Sequence, residues 1–150
     1  MSSTTTRTAF VTGGASGIGR AVCLRLARDG AAVAVLDLEP QGAERTAAEI
    51  RRAGGRAVAV VADVADAAAV DAAVAQARAG LGALTVLVNV AGIGDFTLLP
   101  DMTPAQWQRM LGVHLNGTFH CTRAVLPDMT AAGWGRIVNT SSVAGLSGGG

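Results

Sequence analysis

Short apolar runs alternate with amphipathic stretches along the chain, and glycines or carboxylates mark most of the junctions. Thr8-Ala9-Phe10-Val11-Thr12 is an apolar run that ends in a glycine cluster, and from Ile18 apolar residues recur at Val22 and Leu26. That pattern predicts a strand, a tight turn and a helix that stops near Asp29-Gly30. Ala32-Val33-Ala34-Val35-Leu36-Asp37 predicts a second strand, closed by a carboxylate. Gln41 to Ala53 is rich in Ala, Glu and Arg and predicts a helix ended by Gly54-Gly55, before a third strand over Ala57-Val58-Ala59-Val60-Val61. A helix from Ala67 to Ala79 leads to a fourth strand over Leu84-Thr85-Val86-Leu87-Val88-Asn89, continuously apolar in its middle as in a strand covered on both faces. Thr103-Pro104-Ala105-Gln106 combines a cap, an N1 proline and a capping-box glutamine, opening a helical stretch that runs with breaks toward Met129. Gly133 and Gly135 precede a fifth strand, Arg136-Ile137-Val138-Asn139-Thr140, and Ser141 to Gly150 is small, glycine-rich and without period, which predicts a loop.

Five strands alternating with helices predict an α/β fold, a three-layer, doubly wound parallel sheet of Rossmann type with ligands at the carboxyl ends of the strands. One domain is expected over residues 8–150, behind a flexible polar arm of residues 1–7. Half the residues are hydrophobic and 15% are charged, which excludes a disordered chain. A formal charge of +1, spread along the chain, leaves no footprint for nucleic acid. Apolar runs are broken well before the roughly 18 residues of a membrane span, and the first residues lack a basic, then apolar, leader, so no membrane partner is expected. Cys23 and Cys121 lie far apart in helical patterns and read as reduced, buried thiols of a cytoplasmic protein. No metal site is expected: His114 and His120 do not share a helical face, and the cysteines follow no ligand spacing. Trp107 and Trp134 are too separated to stack bases and are assigned to core or rim packing.

The glycine cluster, Thr12-Gly13-Gly14-Ala15-Ser16-Gly17-Ile18-Gly19, falls between a strand and a helix N-terminus, where a phosphate site needs it. Gly13 suits the tight turn, Gly17 close approach of a pyrophosphate, and Gly19 close packing of the helix; Ser16 and Ile18 stand with them as cofactor-binding positions. An ordinary glycine-rich turn is the alternative. Asp37 stands 18 positions after Gly19, near the spacing of a ribose-binding carboxylate, with Leu38 beside it. A 2′-phosphate there would meet like charge, and neither Ala15 nor Leu38 is basic, so NAD is expected over NADP. A solvated carboxylate at a strand end is the competing account of Asp37.

The glycine spacing, together with Asp63-Val64 after the third strand, Asn89-Val90-Ala91-Gly92 after the fourth and Arg136-Ile137-Val138-Asn139-Thr140-Ser141-Ser142 at the fifth, closely resembles the short-chain dehydrogenase/reductase family over nearly the whole chain. The resemblance implies that Asp63 and Val64 flank an adenine, that Asn89, Ala91 and Gly92 line the adenosine side with Val113 beneath, and that Thr140 lies beside the nicotinamide. It makes Ser142 the catalytic serine that holds the substrate oxygen. Val90 stands where the family has a second Asn. His114 occupies the position of the family's Asn that holds a proton-relay water; an imidazole can hydrogen-bond there and can also titrate. Asn116 lies about 200° further around an α-helix and does not simply replace it.

The family's Tyr-x-x-x-Lys pair falls about a dozen residues beyond the serine, and the sequence has no tyrosine. The chain is therefore expected to be the N-terminal portion of a longer enzyme, inactive alone, with the fifth strand's edge and the long helix partly uncovered. The function implied is NAD(H)-dependent interconversion of a secondary alcohol and a ketone, with a non-catalytic dinucleotide-binding sensor or regulatory module as the alternative. The substrate is a small molecule reached by residues 94–99, and the helix from Leu115 to Met129 is expected to pair with its copy in a homodimer or homotetramer. Gly145-Leu146-Ser147-Gly148-Gly149 matches a hydrolase nucleophile pattern, but no strand-to-helix elbow or downstream acid and His accompany it.

Overall fold

Five strands, β1 (Thr8–Thr12), β2 (Ala32–Asp37), β3 (Ala57–Val61), β4 (Val86–Asn89) and β5 (Arg136–Asn139), form one parallel sheet in the order β3-β2-β1-β4-β5. A computed structural model describes residues 7–147; residues 1–6 of the expected arm, and Gly148 and Gly149 of the hydrolase-like pattern, lie outside the described residues. Helices α1 (Gly17–Arg28), α2 (Pro40–Arg52) and α3 (Ala67–Leu81) follow the first three strands. After β4 come a single 3₁₀ turn at Leu99–Asp101 and a long helix in three parts: α4 (Pro104–Leu111), a π-helical turn (Gly112–Asn116) and α5 (Gly117–Ala131). A last turn, α6, spans Ala144–Ser147.

Alternation along the buried strands divides the core in two. Ala9, Val11, Val33, Val35, Val86 and Val88 face one way, onto Cys23 of α1 and Ala43, Ala47 and Ile50 of α2. Phe10, Ala34, Leu36, Val60 and Leu87 face the other way, onto Val70, Val74 and Ala77 of α3 and Cys121 and Val125 of α5. Helices therefore cover both faces, as the doubly wound pattern requires.

Local chemistry explains three departures from the sequence pattern. β4 begins at Val86 rather than Leu84 because the Leu84 amide donates to Asp128 Oδ2 at 2.8 Å, a carboxylate that also takes Arg78 Nε at 2.9 Å and ties α3 to α5. The long helix is continuous through its expected breaks; it widens into a π turn at Gly112–Asn116, so the α-helical phase that separates His114 from Asn116 does not apply there. The expected loop after Ser141 contains α6, which starts where Ser142 Oγ accepts from the Ala144 amide at 3.2 Å; one turn is too short to show a period.

Trp134 packs at the rim, between the guanidinium groups of Arg7 at 5.2 Å and Arg136 at 5.1 Å from its ring centroid. Trp107 is half exposed on α4. All four residues of β5 are exposed, including Ile137 and Val138. Among the described residues no helix is long and apolar enough to cross a membrane.

Cys23 and Cys121 are free and fully buried. Burial pushes both thiols from 9.0 up to about 12. A chain that unfolds at pH 10 ionises thiols that the folded chain keeps protonated, so these two groups make stability fall as pH rises from about 9 toward 12. Replacing both by alanine should flatten that part of a stability-against-pH curve measured by urea unfolding, and an unchanged slope would show that the thiols do not contribute.

Candidate functional site

The carboxyl ends of β1 to β4 open onto a cavity of about 590 Å³. It lies where the sheet order reverses, the chain winding from β1 outward through β2 to β3 and then crossing back to lay β4 on the other side of β1, the switch point of the sheet. Gly13, Ser16, Gly17, Ile18, Gly19, Asp37, Leu38, Asp63, Val64, Ala91, Gly92 and Val113 all line it, so four separate loops bring most of the sequence-selected residues together.

The first wall is the glycine turn. Gly13 has φ +68° and Gly17 φ +49°, conformations that cost a side-chain-bearing residue roughly 1–2 kcal/mol. At Gly19 a Cβ would lie 2.0 Å from the Gly13 carbonyl oxygen, so the first turn of α1 is folded back against the loop more tightly than any other residue permits. Gly14 matters for packing instead: its Cβ would meet Val35 Cγ1 at 2.6 Å and Cys23 Sγ at 3.2 Å.

Helix ends distinguish this wall from the rest of the fold. Glu39 caps α2 by accepting from the Gln41 and Gly42 amides, Asp66 caps α3 through Ala68 and Ala69, and Thr103 and Gln106 close α4 in a capping box. At α1 the N-cap is Ser16, yet unlike the caps of α2, α3 and α4 its side chain makes no capping bond. The positive end of the α1 dipole thus faces the cavity without a side chain to satisfy it. Ile18, 67% exposed, lies over the same opening.

Asp37 is held by the loops it joins. Its Oδ2 accepts from the Ala15 amide at 2.9 Å and its Oδ1 from the Glu39 amide at 3.1 Å, which leaves further lone pairs on both oxygens. The nearby Arg45 pairs with Glu39 at 3.3 Å, and Arg20 pairs with Glu49, so neither cation is left over beside Asp37. Asp63 is oriented similarly, its Oδ1 accepting from Ala65 at 2.9 Å. Val64 is gripped from behind: the His120 ring nitrogen Nδ1 meets its carbonyl at 3.0 Å, and Gly117 approaches so closely that a Cβ would fall 2.7 Å from Val64 Cγ2.

Other selected residues lie beneath or beside the cavity. Asn89 is buried and donates from Nδ2 to Asn139 Oδ1 at 2.8 Å, bridging β4 and β5. Thr140 Oγ1 donates to the Asn89 carbonyl at 2.7 Å. His114 Nε2 lies 2.8 Å from the Ile93 carbonyl oxygen and 3.2 Å from the Ile93 amide, while its ring rests on Gly92, where a Cβ would meet Cε1 at 2.9 Å. Its imidazole therefore ties the post-β4 loop to the π turn, and Thr118 Oγ1 donates to its carbonyl at 2.8 Å. Ser142 is exposed after β5, at the same edge of the sheet as the cavity, with its hydroxyl on the Ala144 amide. Among the described residues no group of three His, Cys, Asp or Glu side chains is placed to hold a metal.

Several contributors carry no signal in the sequence pattern. Thr12 Oγ1 accepts from both the Val90 amide at 3.0 Å and the Ala91 amide at 2.9 Å, joining the ends of β1 and β4; as the last residue of a β-branched run it looks like any other strand residue. Ile93 and Arg109 line the cavity from the post-β4 loop and α4. Beyond Ile93, Asp95 accepts from the Thr97 amide at 2.9 Å and from Gln106 at 3.2 Å, and the Thr97 hydroxyl first, then the Thr97 amide and Gln106, hold its carboxyl below the usual carboxylate range.

Residues 7–150 match a family model described as short chain dehydrogenase. The chain is 48% identical over 136 residues to the short-chain reductase protein NovJ of Streptomyces niveus, covering 91% of this chain and 52% of that protein. It is 44% identical over 138 residues to 2-(S)-hydroxypropyl-CoM dehydrogenase 3 of Xanthobacter autotrophicus, covering 92% and 54% respectively. It is 45% identical over 144 residues to 2-dehydro-3-deoxy-L-rhamnonate dehydrogenase (NAD(+)) of a Sphingomonas species, covering 95% and 56%. The chain thus spans about half the length of these curated relatives.

Proposed function

The chain belongs to the short-chain dehydrogenase family, and on that basis we propose that it forms the coenzyme-binding part of an NAD(H)-dependent oxidoreductase that interconverts a secondary alcohol and a ketone. One observation carries the coenzyme assignment: a helix N-terminus left open by its own cap residue shares a cavity with a backbone-held carboxylate, Asp37, one strand away. The amides of the glycine turn and the first turn of α1 hold a diphosphate, and Asp37 accepts from the adenosine ribose hydroxyls. Asp63, Val64 and Val113 enclose the adenine, with Leu38 and Ile18 as its apolar cover. Asp37 and the adjacent Glu39, with Arg45 already paired, disfavour a 2′-phosphate, and the name of the Sphingomonas relative carries the same coenzyme.

A bound nicotinamide supplies the hydride chemistry. Ser142 orients the substrate oxygen at the carboxyl edge of β5, Thr140 stands next to it, and His114 holds the loop at Ile93 on which that end of the site rests. Proton transfer is assigned to a Tyr and Lys outside these 150 residues, since the chain has no tyrosine. Leu115, Phe119 and Leu126, all exposed on the long helix, support pairing with a second copy in a homodimer or homotetramer, and the buried free thiols suit a cytoplasmic protein. Calorimetry on the full-length protein should show tighter binding of NAD than of NADP, and the NAD complex should be reduced by a secondary alcohol. No heat with either coenzyme would end this assignment.

A further inference from the structure

Among the described residues that line the cavity, Arg109 is the single basic one. It sits on α4, four positions before Val113, which lines the same cavity from the π turn. Within the described residues its guanidinium makes no hydrogen bond and no ion pair. The two carboxylates that share the cavity, Asp37 and Asp63, are held by backbone amides and form no ion pair among the described residues.

We propose that Arg109 is a coenzyme-binding residue whose guanidinium engages the diphosphate of the dinucleotide from the α4 side of the cavity. This rests on the coenzyme reading above and adds to it a residue outside the glycine turn. A diphosphate brings about two negative charges into a cavity that already holds two, and the α1 dipole offsets only about half a charge. A planar guanidinium with five donors, unengaged by protein, matches that deficit and the geometry of phosphate oxygens. Stacking on the adenine, the alternative, would leave the affinity insensitive to salt, because the ring is uncharged.

The test is a fluorescence titration of NADH into the full-length protein and its Arg109→Gln and Arg109→Lys variants at several salt concentrations. Arg109→Gln should raise the NADH Kd by about tenfold, the equivalent of one charge-assisted hydrogen bond. Arg109→Lys should recover part of the loss, and the wild-type Kd should rise more steeply with salt than that of the Gln variant. The thermal midpoint of the unliganded protein should not move, since no protein bond is removed. Arg109→Gln binding NADH as tightly as wild type, or losing affinity with an unchanged salt slope, overturns the proposal. Wild-type protein that binds neither coenzyme condemns the coenzyme reading itself, a result distinct from a wild type that binds and a variant that binds equally well.

Discussion

Gly19→Ala should disable the site and weaken the fold together. The added Cβ would sit 2.0 Å from the Gly13 carbonyl oxygen and 3.1 Å from the Gly14 amide nitrogen, both backbone atoms that cannot swing aside. Relief requires the first turn of α1 to move off the loop, which costs about 1–3 kcal/mol as overpacking and displaces the amides meant for the diphosphate. Gly17→Ala provides the contrast. A Cβ there meets no protein atom within 4 Å, so the stability cost is limited to the strain of φ +49°, roughly 1–2 kcal/mol, while the methyl group intrudes on ligand space. Urea unfolding paired with coenzyme titration separates the two: both variants should lose binding by an order of magnitude or more. A Gly19→Ala protein that folds and binds as wild type would show that the turn is looser than its geometry implies.

Asp37→Ala is the second large effect, and its signature is selectivity. Removing a carboxylate that accepts from ribose hydroxyls should weaken NAD by about 10–100-fold, at roughly 1.5–3 kcal/mol for a hydrogen bond to a charged group. NADP should lose far less, because the same change removes a charge that repels its 2′-phosphate. The substitution also strips the Ala15 and Glu39 amides of their acceptor, so a general loosening of the turn is a competing cause. Asp37→Asn addresses this by keeping an oxygen for Ala15 while removing the negative charge. Equal losses for NAD and NADP in both variants would refute the ribose assignment.

Much of this architecture can be read from residue patterning because the central strands β1, β2 and β4 are buried on both faces. The runs at Ala32–Leu36 and Val86–Val88 are apolar without interruption, and Gly, Asp or a cap residue marks most element boundaries. The glycine turn and Asp37 are similarly legible, since a positive φ and a strand-end carboxylate each select a narrow set of residue types. What stays hidden depends on contacts between residues distant in the chain. Nothing local in Thr12 announces that it bonds Val90 and Ala91, and nothing around His120 points to Val64. The start of β4 is set by Asp128, 44 positions away from Leu84. The π turn at Gly112–Asn116 lies where Gly112 and Gly117 bring the long helix against Ala65 and Val64, residues about 50 positions earlier in the chain.

The hydroxyl of Thr12 has a wider consequence. Two lone pairs on one oxygen serve two successive amides, so the loop after β1 and the loop after β4 share a single anchor. The hydroxyl thereby fixes the positions of Gly13 and of Val90 and Ala91, on opposite loops of the cavity, relative to each other. Valine matches threonine in shape but would strand both N–H groups in a part-buried setting, whereas serine would keep them paired. Keeping both amides paired thereby demands a residue with an oxygen on the β-carbon, a narrower alphabet than strand propensity alone would impose.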